Sequence, residues 1–223
     1  MTEEHKAEME KHANFNQGSI KEHYDSMCVN YEDIYLKAGF HDPLKCSELV
    51  EDLWSTLNKE KTEIKVLDMG CGTGLVGKYL YDYGFRQIVG VDASKGMLDQ
   101  AALKENVHTD LIELFLGAPE TYPESLRDKF DFITASGILA DNHLDCSVFE
   151  EMLLSLVKGG IAIFATRSEY LEKYAYGAYM KKLVDEGKWK FVKEVTFPRY
   201  DQLDDTVGRF TKTEAKAFAY QKL

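Results

Sequence analysis

The 223 residues contain no CxxC pair and no N-x-S/T sequon, and the four cysteines, Cys28, Cys46, Cys71 and Cys146, are widely separated. A paired-cysteine framework therefore has no basis, and reduced thiols of a cytoplasmic protein are expected. No apolar run approaches the roughly 20 residues of a membrane span. The opening MTEEHKAEMEKHANF lacks a secretory apolar core, so no membrane partner is expected. Basic charge is also short, with 27 Lys and Arg against 38 Asp and Glu and a net charge of −11. Nucleic-acid binding normally demands a basic face, so no such partner is expected. Lysines do gather at Lys181, Lys182, Lys188, Lys190 and Lys193, but Asp185, Glu186 and Glu194 interleave with them and read as a solvated mixed face. His5, His12, His23, His41 and His108 lack ligand spacing, so no metal site is predicted. Internal repeats and low-complexity segments are absent as well.

What is present is enough apolar sequence, 44% of the chain, to bury one substantial core. Residues 1–14 are charged and read as a frayed or disordered arm, with a single ordered domain expected over residues 15–223. Tyr24, Met27, Tyr31, Ile34 and Tyr35 recur at helical spacing, and a second helix is predicted from Leu44 to Leu57, giving N-terminal helices over residues 15–58. The chain then alternates strand and helix in the α/β manner. Strands are expected at Ile64–Asp68, Gln87–Asp92, Leu111–Leu116, Phe130–Ala135 and Ile161–Thr166. Helices are expected at Leu75–Tyr83, Gly96–Glu105, Val148–Val157 and Glu169–Asp185, the last capped by Ser168 and ended by Gly187. Trp189–Phe197 and Ala215–Leu223 read as two closing strands around the polar DQLDDTVGRF.

The run VLDMGCGTGLVG, Val66 to Gly77, puts Asp68 and alternating glycines where an apolar strand turns into a helix. Such a turn lets a ligand approach the main chain closely. Two ligand classes use it. Gly72, Gly74 and Gly77 satisfy the dinucleotide pattern GxGxxG, with Asp92 following as a ribose acid should. Asp68, however, intervenes between strand and glycines, where a carboxylate repels a diphosphate and suits a ligand with an ammonium and a sulfonium.

The stretch Asp68-Met69-Gly70-Cys71-Gly72-Thr73-Gly74, followed by IVGVDASKGM at Ile88–Met97, resembles the class I methyltransferases that use S-adenosylmethionine (SAM) and release S-adenosylhomocysteine. The resemblance implies a Rossmann-like, mostly parallel seven-stranded sheet in the order 3-2-1-4-5-7-6, its last strand antiparallel, with helices on both faces. It also implies that Asp68, Gly70, Cys71, Gly72 and Gly74 hold the methionine part, that Asp92 holds the ribose, and that Ala93 and Met97 flank the adenine. Cys71 on its own reads as a small packing residue. Gly117 and Ala118, after strand three, occupy the place of a backbone contact to adenine; the acidic residue common there is missing, with Glu120 nearby. Ser136 and Gly137, past strand four, stand where the family contacts the methionyl end. YDSMCVNYEDIYLKAGFHDP resembles a lid element of small-molecule methyltransferases, with Tyr24, Asp25, Tyr31 and Glu32 in register and Cys28 in place of a small alanine. Core packing is the plainer reading of those aromatics. With FDFITASGIL, TRSEYLE and GKWKFVKEV, the chain looks like the methyltransferase-like group that includes the Williams-Beuren syndrome region methyltransferase. That group implies no particular acceptor.

Methyl transfer from a sulfonium needs alignment and exclusion of water more than a strong acid. His143, in LADNHLD after strand four, is the candidate acceptor-side base because imidazole ordinarily titrates near pH 6.5, with Asp141 and Asn142 as rivals. Arg167, after strand five, is placed to pair with an acidic acceptor or a neighbouring Asp, and Arg199 and Tyr200 to line the acceptor mouth. The leading expectation is a small-molecule acceptor with an oxygen or nitrogen nucleophile. A protein methyltransferase acting on a basic partner, and a binding or scaffold protein without turnover, are the alternatives.

Overall fold

The computed structural model describes Thr2, Lys6, Ala7, Met9, Glu10, residues 20–203 and residues 210–223. Seven strands form one sheet in the order β3-β2-β1-β4-β5-β7-β6. They are β1 (Lys65–Met69), β2 (Gln87–Asp92), β3 (Asp110–Glu113), β4 (Phe130–Leu139), β5 (Leu156–Arg167), β6 (Trp189–Pro198) and β7 (Glu214–Lys222). The first five strands pair in parallel, and β7 inserts antiparallel between β5 and β6. The expected sheet order and antiparallel closing strand are both present.

Helices precede and connect these strands: α1 (Ile20–Met27), α2 (Tyr31–Lys37), α3 (Asp42–Leu53), α4 (Leu75–Asp82), α5 (Lys95–Ala102), α6 (Val148–Ser155), α7 (Tyr170–Lys173) and α8 (Tyr176–Asp185). Side chains alternate across the pleat, so both sheet faces are buried. On β1, Leu67 and Met69 face a core shared with Phe149 and Met152 of α6, Tyr176 and Leu183 of α8, and Trp189. Val66 faces the other core, with Cys46, Leu49 and Val50 of α3 and Val76 and Leu80 of α4. A third cluster joins Met27, Ile34, Tyr35 and Phe40 to Met97, Tyr200, Leu203 and Phe210, bringing the N-terminal helices onto the sheet's C-terminal rim. Met9, inside the stretch read as an arm, is fully buried in this cluster, while Phe15 and most of residues 1–14 lie outside the described residues.

Several elements differ from expectation for local reasons. The helix predicted over Glu169–Asp185 is two helices, broken where Ala175 adopts φ +59°. Ser168 does not cap it, because its Oγ donates to Glu214 Oε1 at 3.0 Å. The N-terminal stripe also divides into α1 and α2. β4 runs on to Leu139, its register against β5 shifting between Ala135 and Leu139. That irregularity turns Ser136 and Gly137 out of the ladder at the end of the strand, where a bulge re-aims side chains toward a site.

Candidate active site

The turn from β1 to α4 is shaped as much by a histidine as by a ligand. A Cβ at Gly74, where φ is +85°, would lie 2.7 Å from His108 Cε1, and one at Gly77 would lie 2.4 Å from His108 Nε2. These two glycines admit the imidazole, and neither lines the cleft. Gly72 differs, because it lines the cleft and a Cβ built there meets nothing within 4 Å. A side chain at Gly72 would project into the space a ligand needs, and its amide is already committed, donating to Asp92 Oδ2 at 2.8 Å.

The cleft has a volume of about 720 Å³ including its open mouth. That lies within the roughly 300–1,000 Å³ typical of small-molecule sites. Gly70, Gly72, Asp92, Ala93, Met97 and Ser136 line it from the sheet side, and Tyr24, Tyr31 and His143 line it from above. Asp92 ends β2 with each carboxylate oxygen fixed by a backbone amide, Oδ2 by Gly72 and Oδ1 by Ser94 at 2.8 Å. Burial raises its pKa, and the amides of Ser94, Gly72 and Ala93 act against that rise. Asp68 lies buried behind the glycine turn; its Oδ1 accepts from Thr134 Oγ1 at 2.8 Å, while Oδ2 has no hydrogen-bond partner among the described residues. Burial pushes its pKa up to about 7, opposed by Thr134 and reinforced by Asp92. Ser136 Oγ is a second buried oxygen without a hydrogen-bond partner among the described residues. A buried polar atom left unpaired is costly, so both oxygens suit a polar, cationic guest.

Other sequence candidates take different places. Cys71 Sγ packs toward β2, 2.8 Å from where a Gly90 Cβ would stand, and burial raises its pKa; the thiol is a packing group. Gly117 and Ala118 do not line the cleft. Their amides donate to the Glu151 carboxylate at 2.9 Å, so a carboxylate of α6 takes the backbone contact expected for adenine. Leu114, Phe115 and Leu116 form that wall instead. Glu120 is likewise absent from the lining.

α1 closes the mouth through three polar ties. Lys21, which lines the cleft, pairs with Glu113 at the end of β3. Asp25 Oδ1 accepts from Ser94 Oγ at 2.6 Å and from the Gly96 amide at 2.8 Å. Burial raises the Asp25 pKa, but these two donors and Lys21 outweigh it and leave the carboxyl below its ordinary value. The third tie is Tyr24, whose hydroxyl stands 2.7 Å from His143 Nε2. His143 Nδ1 is 2.7 Å from the Asp141 carbonyl oxygen. A carbonyl only accepts, so Nδ1 carries the proton, and in the neutral ring Nε2 accepts from Tyr24. Asn142, at φ +60°, makes the left-handed step that turns His143 back inward.

Behind this pair lies a second cavity of about 370 Å³, which shares Tyr24, Tyr31, Gly137 and His143 with the cleft. Arg167, Arg199 and Tyr200 line it, as do Tyr35, Phe40, Asp141 and Tyr170. The Phe40–Tyr200 bridge, with the two rings stacked 5.5 Å apart, ties the residues just after β6 to those just after α2. Sequence reasoning missed Lys21, Ser94 and Glu151. Only the spacing of Ser94 two residues after Asp92 hinted at any of these, as a helix cap.

A family model described as a methyltransferase domain matches residues 66–160, which span β1 through the start of β5. Over these residues the chain is similar to methyltransferase domains. It is 35% identical over 129 residues to human methyltransferase-like protein 27, covering 56% of this chain and 51% of that protein. It is also 35% identical over 146 residues to the ubiquinone biosynthesis O-methyltransferase of Pelagibacter ubique, covering 61% of this chain and 58% of that enzyme. The chain thus spans between half and three fifths of the length of these two curated relatives. Among solved structures, the magnesium protoporphyrin IX methyltransferase of Synechocystis PCC 6803 with bound SAM shares the fold. Its TM-score is 0.65 at 13% identity over 94% of this chain and 98% of that one.

Proposed function

We propose that this chain transfers a methyl group from SAM to an oxygen or nitrogen nucleophile of a small molecule. The observation that carries the reading is the pairing of two acids at successive strand ends, Asp68 and Asp92, with unpartnered buried oxygens on Asp68 and Ser136. When bound, SAM supplies an electrophilic methyl on a sulfonium. Asp92 holds the ribose hydroxyls, and Asp68 answers the ammonium from behind the glycine turn. α1 and its tyrosines cover the mouth and exclude water. On the acceptor side, Tyr24 Oη receives the nucleophile's proton as it gives its own to His143 Nε2, and the Asp141 carbonyl holds the resulting imidazolium through Nδ1–H.

The lysine cluster supports a small acceptor over nucleic acid, since Lys181 pairs with Asp185 at 2.6 Å and Lys193 with Asp52 at 2.7 Å. The free thiols Cys28, Cys46, Cys71 and Cys146 support a reducing, cytoplasmic setting. The test is calorimetric titration with SAM and S-adenosylhomocysteine, with NADH as control. Saturable binding of both adenosyl ligands is expected, weakened at least about tenfold, or about 1.4 kcal/mol, in Asp92→Ala. A folded wild-type protein that binds neither ligand overturns the reading.

A further inference from the structure

The cleft wall that follows β3 is held at both ends. At one end the Leu114 amide donates to the Asp92 carbonyl at 2.9 Å. At the other, the Gly117 and Ala118 amides donate to the Glu151 carboxylate at 2.9 Å, and Ser147 Oγ donates to the Gly117 carbonyl at 3.0 Å. Gly117 reaches these partners at φ +100°, a conformation that favours glycine. Glu151, on α6, is fully buried, and the charged groups that act on it, Asp145 and Glu120, are acids. A carboxylate buried without a cation is costly, and here its hydrogen bonds go to the loop that ends the wall.

Between the two anchors stands Phe115. Leu114 and Leu116 pack against the core on either side of it, whereas Phe115 is 56% exposed and lines the cleft. An aromatic ring held in this way gains from a flat partner that covers it. The sheet order tells which part of the cofactor that is. Along β4, β1, β2 and β3 the rim presents Ser136, Gly70, Asp92 and then Leu114–Leu116. With the amino-acid tail toward Asp68 and Ser136 and the ribose on Asp92, the base continues to the β3 side.

We propose that Phe115 is a stacking residue for the base of the cofactor, and that Glu151 is the positioning residue that holds it there by fixing the loop after β3. The inference rests on the methyl-transfer reading above and deepens it at the cofactor site.

The test is calorimetric titration with S-adenosylhomocysteine and, by displacement, with S-ribosylhomocysteine, which keeps the ribose and amino-acid tail and lacks the base. Phe115→Ala is expected to weaken S-adenosylhomocysteine by about 5- to 100-fold, the range a base–aromatic stack supplies, and to leave the ribosyl ligand unchanged. Phe115→Trp keeps a flat ring and should bind as the wild type does. Glu151→Ala is expected to weaken S-adenosylhomocysteine by about three- to tenfold, as loss of a hydrogen bond does, again without effect on the ribosyl ligand. Glu151→Gln keeps Oε1 as an acceptor and should recover part of that loss. In the Phe115→Ala background the Glu151 substitutions should cost nothing further, because the two residues act on one contact. Truncating an exposed ring leaves the fold intact, so the Phe115 variants decide the matter even where Glu151→Ala fails to fold. Wild-type affinity in Phe115→Ala, or equal losses for both ligands, overturns the inference and leaves methyl transfer standing. Failure of the wild-type protein to bind S-adenosylhomocysteine overturns both.

Discussion

Tyr24 does two jobs that a single substitution separates. Its ring helps line the cleft, and its hydroxyl stands 2.7 Å from His143 Nε2. Tyr24→Phe keeps the ring and removes the proton path, so kcat is expected to fall by about 10²- to 10⁴-fold, the range general acid–base groups supply. Cofactor affinity should change by no more than about threefold, because a neutral hydrogen bond is worth only about 0.5–1.5 kcal/mol. A Phe variant that turns over at the wild-type rate would assign Tyr24 to packing alone, the plainer reading that its helical spacing supports.

At the scale of elements, α1 stays over the cleft because Asp25 reaches across to cap α5. Its carboxylate takes the Ser94 hydroxyl and the Gly96 amide, so the lid is fastened to the same β2–α5 turn that holds Asp92. Removing a cap of this kind costs about 0.5–2 kcal/mol. Asp25→Ala is expected to speed hydrogen exchange across Ile20–Lys37 and to weaken S-adenosylhomocysteine binding several-fold, while Asp25→Asn, which keeps Oδ1, should restore most of both. Unchanged exchange in the Ala variant would mean that apolar packing alone seats the lid. Much of the parallel sheet was legible in the chain because its strands are short apolar runs with Asp68, Asp92 or a glycine at one boundary, and these signals are local. Ser136 and Gly137 were placed from resemblance, but the irregular β4–β5 register that presents them was not readable, since it depends on two strands 27 residues apart at Leu139 and Thr166. Glu151 was invisible for the same reason: a helix carboxylate 34 residues from Gly117 captures the amides that the local sequence left open.

Over the whole molecule, stability against pH is set by buried groups of opposite sign. His108, pressed against Gly74 and Gly77, has no hydrogen-bond partner on either ring nitrogen among the described residues, and burial with nearby Lys104 lowers its pKa to about 4. Between about pH 6.5 and 4 the unfolded chain binds this proton and the folded one does not, so this term removes stability as pH falls, by up to about 3 kcal/mol. Asp68 acts oppositely. With its folded pKa near 7 and an ordinary value near 3.8, the folded state holds the extra proton, and stability from this group rises as pH falls through the same window. Asp42, Asp92 and Glu151, all raised chiefly by burial, add to the Asp68 side. The ligand-free protein should therefore change little in stability between pH 7 and 4.5, or gain slightly on the acid side. His108→Leu removes the opposing term. Its stability relative to wild type, measured by urea unfolding, is expected to improve by about 2–3 kcal/mol on going from pH 7 to pH 4.5. An equal difference at both pH values would show that His108 titrates alike in the folded and unfolded chain. Saturating S-adenosylhomocysteine should tilt the curve the other way, because an ammonium beside Asp68 favours the ionised carboxylate and binding near pH 7 then releases a proton. Calorimetry in buffers of different ionisation enthalpy reads that proton directly, and its absence would place the ammonium away from Asp68.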